Sequence, residues 1–186
     1  MEFRLKEVLS VSRGLHVLKP EKNEDNLKNS NINIASILNF DDIKDYACNS
    51  DNTINYEKEK KKAFINLKTR YRNSTARSYD LIISRKSFYI KPRIVIISAD
   101  DKNNYIYANE ALYLRSIVPD DFLDIKYVYY LLSTQKVQDI INNAEKNLSR
   151  RELLENIKCE IPNLEEQKKF VHQMEDIHTK FENFIK

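Results

Sequence analysis

Apolar residues come in short runs through the first two thirds of the chain and at helical spacing through the last third. Arg4 to Leu9 reads as a short strand or a helical turn, followed by the polar, breaker-rich stretch KPEKNEDNLKNSN. INIASIL alternates over Ile32, Ile34 and Ser36, the period of a half-buried strand. After a second polar stretch come AFINL, YDLIIS, SFYIKPRIVIIS and NYIYANEALYLRSIV, β-branched and aromatic runs separated by turn chemistry such as ADDKNN. Pro92 has no backbone donor, so it predicts an edge or a bulge near Lys91 and Arg93. Helical spacing begins after Pro119. Asp120 or Asp121 is expected to cap a helix carrying Phe122, Ile125, Tyr127, Val128, Tyr130, Leu131 and Leu132, and Ser133 or Thr134 to start a second with Val137, Ile140 and Ile141. SRRELLENI is a capping box, with Ser149 as N-cap and Glu152 three residues on. IKCEI is a last strand, ended by Pro162. Asn163 and Glu166 repeat the box at the start of the final helix.

These elements predict an α+β fold, a mixed or antiparallel curved sheet with packed helices and a C-terminal amphipathic helix. The division falls at Pro162, with a domain over residues 1–162 and a helix over 163–186. The helix places Phe170, Met174, Ile177, Phe181 and Phe184 at spacings of 4, 3, 4 and 3, a heptad seam with Val171 and Ile185 beside it. Such a seam either pairs with another helix or packs back on its own domain. Gly14, the only glycine, is expected to serve a position with positive φ.

Composition narrows the class. No apolar run approaches the ~18 residues of a membrane span, and the first residues, MEFRLKEVLS, lack the features of a signal peptide. Cys48 and Cys159 stand apart, which fits a reducing, cytoplasmic setting and offers neither a disulfide framework nor a zinc site. His16, His172 and His178 have no ligand spacing, so no metal or other cofactor is expected. The charge is uneven. Lys58 to Arg93 carries twelve Lys or Arg against Glu59 and Asp80, ten charges of excess in a chain whose total is +3. A basic block in an otherwise acidic chain points to a polyanionic partner on one surface. KEKKK alone reads as a solvated face. The arginines are different, because their planar fork suits phosphates and guanine edges. The candidate DNA-binding residues are Lys68, Arg70, Arg72, Asn73, Arg77, Arg85, Lys86, Lys91 and Arg93. Tyr71, Tyr79, Phe88 and Tyr89 lie among them and either stack on bases and sugars or belong to the core.

An enzymatic alternative rests on Asp80, Asp100 and Lys102, whose spacing imitates a nuclease site in which two carboxylates hold Mg²⁺ and a lysine orients water. ADDKNN reads better as a polar turn. A third alternative is a stand-alone interaction protein that occupies a partner without directing it.

Four places in the chain together resemble the target recognition domain of type I restriction-modification DNA specificity subunits. SRGLH is similar to an early Arg-Gly; INIASI to an alternating first strand; YDLIISRKS to a segment with an aspartate (Asp80) and a later arginine (Arg85). YVYYLLS followed by LSRRELLENIKCEIPNLEEQKKFV matches a closing pattern that includes Ile161-Pro162, Leu164 and Glu166-Gln167. YDLIIS lacks the family's usual glycine before the aspartate, so that turn must be built another way. The resemblance implies a binding module without catalysis. Its partners would be double-stranded DNA, a methyltransferase (modification) subunit and a restriction or translocase subunit, with no membrane. Family members hold two recognition domains and two long helices. One of each here implies half a subunit, and a homodimer through the Phe170–Phe184 seam would restore the pair.

Overall fold

The central sheet explains why the middle of the sequence is so continuously apolar. The computed structural model describes residues 2–15, 32–46, 53, 54, 60, 62–66, 75–85, 91–142 and 149–185. Within them the strands are β1 (Glu2–Arg4), β2 (Leu9–Arg13), β3 (Ile32–Leu38), β4 (Lys62–Asn66), β5 (Leu81–Ser84), β6 (Arg93–Ile94), β7 (Tyr105–Tyr107), β8 (Ala111–Ser116) and β9 (Lys158–Glu160). The helices are α1 (Ile125–Leu132), α2 (Gln135–Asn142), α3 (Arg150–Asn156) and α4 (Leu164–Ile185). The strands divide among a four-stranded sheet in the order β2-β8-β5-β6, a three-stranded sheet β4-β3-β7 and the pair β1-β9. Every pairing is antiparallel except β3 with β7. The α+β class is as the sequence predicts, with the strands shared between separate sheets.

Alternation along β5 and β8 sorts side chains into two cores. Leu81, Ile83, Leu112 and Leu114 face the helices, joining Val128, Leu132 and Leu154. Ile82, Ala111 and Tyr113 face the other way, onto Leu38, Tyr105 and Tyr107 of the three-stranded sheet. A sheet covered on both faces has no polar side to show, hence the unbroken LII of YDLIIS. Pro92 precedes β6 at the edge of the sheet, where its missing donor costs no ladder bond. Only Arg93–Ile94 of the run RIVIIS pairs as strand.

NYIYANEALYLRSIV is two strands in different sheets. The chain leaves β7, turns at Ala108 with Ala111 N–H donating to its carbonyl at 3.0 Å, and enters β8. Gly14 packs at this corner, and its role differs from expectation. Its φ is not positive; a Cβ there would collide with the Ala108 carbonyl. Glycine is needed for close approach, and the Gly14 N–H donates to the Ala111 carbonyl at 3.1 Å.

The helical third begins later than Asp120 or Asp121 predict. Asp124 caps α1, its side chain accepting from Lys126 N–H at 2.9 Å, and Phe122 lies before the helix, edge-on to Phe3. The reason is tertiary. Buried Gln167 of α4 accepts from Asp124 N–H at 2.8 Å and donates to the Phe122 carbonyl at 2.9 Å, fixing that segment as a turn. Both capping boxes form as predicted. Glu152 N–H donates to Ser149 Oγ at 3.3 Å and Ser149 N–H to Glu152 at 2.8 Å. At α4, Glu166 N–H donates to Asn163 Oδ1 at 3.0 Å and Asn163 N–H to Glu166 at 3.3 Å. Among the described residues, no helix is long and apolar enough to cross a membrane.

Candidate nucleic-acid interface

Asp80, set at the start of β5, is almost fully buried between the two sheets. Its carboxylate accepts from Arg115 Nε at 2.7 Å and Nη2 at 2.7 Å, and from the Tyr107 hydroxyl at 2.7 Å. The arginine contact is a two-pronged charged pair, stronger than a neutral hydrogen bond. Tyr107 belongs to the three-stranded sheet and Arg115 to the four-stranded one, so the trio bolts the sheets together. The hydrogen bond to Asp80 holds the Arg115 guanidinium above its ordinary pKa. Burial first, and then the Asp80 charge, push the Tyr107 phenol well up, so it remains a donor.

The same carboxylate reaches back to accept from Arg77 N–H at 2.9 Å, and Asp80 N–H closes the turn on the Arg77 carbonyl at 3.2 Å. Tyr79 holds the third place of this four-residue turn with φ 66°, the one positive φ among the described non-glycine residues. That place in a type II turn belongs by preference to glycine or asparagine. A tyrosine there carries a steric cost of about 1–2 kcal/mol. This is how the turn is built without the glycine that the resemblance leads one to expect. Its anchors are strong: Tyr79 N–H donates to the Val95 carbonyl at 2.7 Å, and Ser78 Oγ accepts from Ile97 N–H at 3.0 Å. Beside the turn lies an open cleft of about 450 Å³, walled by Arg77, Tyr79, Leu123, Ile125, Leu164 and Lys168 among others.

Of the predicted DNA-binding residues, the four that are described, Arg77, Arg85, Lys91 and Arg93, do not gather at one point. Lys68, Arg70, Arg72, Asn73 and Lys86 lie outside the described residues, as do the rings of Tyr71, Phe88 and Tyr89. Arg77 precedes β5 and Arg85 follows it, so exposed cations stand at opposite ends of one strand. Arg85 Nη1 donates to the Asn109 carbonyl at 2.9 Å, and Arg13 Nε to the same oxygen at 3.4 Å. The two arginines of the SRGLH and YDLIISRKS motifs thus meet on the corner between β7 and β8. Arg13 lies outside the basic block of Lys58 to Arg93, so charge density alone does not mark it. Lys91 is exposed and lies toward the Arg85 end, given the antiparallel register of β5 with β6. Arg93 is engaged internally: it pairs with Asp45 at 3.1 Å, donates to the Phe40 and Ile43 carbonyls and lies over the Phe40 ring.

The helical seam divides. Phe170 is half-buried, edge-on to Tyr127 and Tyr130 of α1, Val171 is buried and Met174 half-buried. Glu175 accepts from the Tyr46 hydroxyl at 2.6 Å and from Lys126 Nζ at 3.0 Å. Beyond it, Ile177, Phe181 and Phe184 are exposed, the last at 89%.

The nuclease-like trio does not form a metal site. The Asp80 oxygens are taken by Arg115, Tyr107 and Arg77, while Asp100 and Lys102 line a shallow hollow with Ser98, Asp101 and Asn103. No cluster of metal-ligating side chains occurs among the described residues.

No family model and no curated protein matches the sequence. Solved structures match nearly all of it. One is a chain of a type I R-M system studied for complex assembly and conformational transition. It is 17% identical with a TM-score of 0.58, over 99% of this chain and 39% of that one. The HsdS subunit from Thermoanaerobacter tengcongensis is 18% identical with a TM-score of 0.57, over 97% of this chain and 37% of its own. A type I restriction-modification S subunit from M. genitalium is 14% identical with a TM-score of 0.50, over 98% of this chain and 40% of its own. At such identities the shared property is the fold, an α+β fold closed by a long C-terminal helix. The chain spans about two-fifths of the length of the solved chains it matches.

Proposed function

We propose that this chain is a sequence-specific double-stranded DNA-binding module. It directs the methyltransferase, and any attached nuclease, of a cytoplasmic type I restriction-modification system, with no catalysis or cofactor of its own. The observation that carries this reading is the fold likeness to type I specificity subunits, which extends over nearly the whole chain. The charge excess of Lys58 to Arg93 supports it, since neutralising phosphates is the main source of affinity for duplex DNA. On this reading residues 1–162 bind DNA, with Arg77, Arg85 and Lys91 as contacts within the described residues, and residues 163–186 act as spacer and docking helix. An electrophoretic shift with duplex DNA at low salt, alone and with a methyltransferase subunit, tests it. Binding that weakens steeply with added salt is expected; no shift under either condition defeats the reading.

The bare stretch of α4 serves, on the same reading, as a docking strip for a second helix. Two-fold pairing with another copy would join two recognition domains on a symmetric split target. Sedimentation at micromolar concentration is expected to show a dimer that Phe181→Ser dissociates. A wild-type chain that stays monomeric with and without its methyltransferase removes the pairing.

A further inference from the structure

We propose that the Arg77-Ser78-Tyr79 turn is a DNA-contacting tip, with the Tyr79 ring packed against a deoxyribose or thymine methyl and Arg77 on the adjoining phosphate. The inference rests on the DNA-binding reading above and names a contact within it. Backbone strain is retained where surroundings enforce it and a function uses it. Here the enforcement is explicit: Asp80, locked by Arg115 and Tyr107, accepts from Arg77 N–H, and Val95 and Ile97 hold Tyr79 and Ser78. An aromatic ring stabilises a fold chiefly through the large apolar area it buries. Tyr79 is instead 55% exposed. Packing within the fold therefore does not account for a tyrosine at a glycine-preferring place. A rigid, amphipathic ring with two side-chain torsions is well suited to contact at a surface, because little freedom is lost on binding. The cleft beside the turn is lined by Asp120 and Asp124 as well as by cations, so the contact with an anion is assigned to the exposed tip itself. Arg77 is exposed, with no side-chain partner among the described residues, and Lys168 of α4 lies across the same cleft.

Tyr79→Gly separates contact from structure, because glycine adopts the turn conformation without strain. Wild type, Tyr79→Gly and Tyr79→Phe are titrated by fluorescence anisotropy against a labelled mixed-sequence duplex at low salt, and each is melted. The expected result is a Tm for Tyr79→Gly equal to or above wild type, with affinity about tenfold weaker. Tyr79→Phe, which keeps the ring, is expected within about threefold of wild type. Unchanged affinity in Tyr79→Gly overturns the contact while leaving the DNA-binding reading intact. Weaker binding accompanied by a lower Tm also overturns it, since the ring would then be structural. Absence of wild-type binding defeats the broader reading and the tip with it.

Discussion

The two halves of α4 carry the same apolar seam and meet opposite fates. In the first half, Gln167, Phe170, Val171 and Glu175 each find a partner or a buried place in the domain. In the second, Ile177, Phe181 and Phe184 continue the heptad into solvent. Periodicity therefore defines a face without saying what covers it. The anchored half differs in having polar side chains that tie it to loops and to α1, and these give the helix a fixed bearing on the domain.

Breaking the anchor should have the largest effect. Gln167→Leu removes a side chain that holds Asp124 N–H and the Phe122 and Pro162 carbonyls together, all within 2.9 Å. Leaving such groups without partners should cost about 3 kcal/mol or more, read as a lower midpoint in urea denaturation. A paired substitution sharpens the contrast. Phe170→Ala should destabilise by about 2 kcal/mol through lost packing on Tyr127 and Tyr130. Phe181→Ala should change monomer stability by less than about 0.5 kcal/mol. Equal losses from the two would mean that the distal seam is covered in solution.

Acid should reveal the smallest difference. Burial alone raises the Glu175 pKa, yet hydrogen bonds from Tyr46 and Lys126 outweigh it and hold the carboxyl below its ordinary value. A depressed folded pKa means that this tie stabilises the fold above the unfolded carboxylate pKa of about 4.3. The contribution is then lost as pH falls through the lower folded value. The effect should stay below about 1 kcal/mol, because the pair is partly solvated. Hydrogen-exchange protection of α4 around Glu175, corrected for the intrinsic rate, should fall below about pH 4 in the wild type, with that acid step absent in Glu175→Gln.

What could be read from sequence follows the range of the interactions. Both capping boxes were legible because partners three residues apart settle them. The start of α1 was not, because Gln167, more than forty residues away, decides that Phe122 stays outside it. Arg93 looked like a phosphate contact by composition, but its fork holds Asp45 and two carbonyls. Gly14 shows a different limit, since close approach and positive φ leave the same mark in a sequence. Tyr79 is one of four candidate rings in the sequence, and nothing in the sequence shows its positive φ. The Glu166-Gln167 pair, seen first as a motif, has a physical meaning: one residue caps the helix and the next joins it to the turn before α1.

β1 pairs with β9, Phe3 facing Cys159, so the strand that leads into α4 is held by residues from the opposite end of the domain. That ladder closes only after almost the whole domain has emerged during synthesis, and pairing across so long a loop is slow. The direction of α4 is therefore among the last properties the folding chain acquires. Until that ladder closes, α4 hangs from a strand that nothing yet aligns, and its bearing on the domain is undefined.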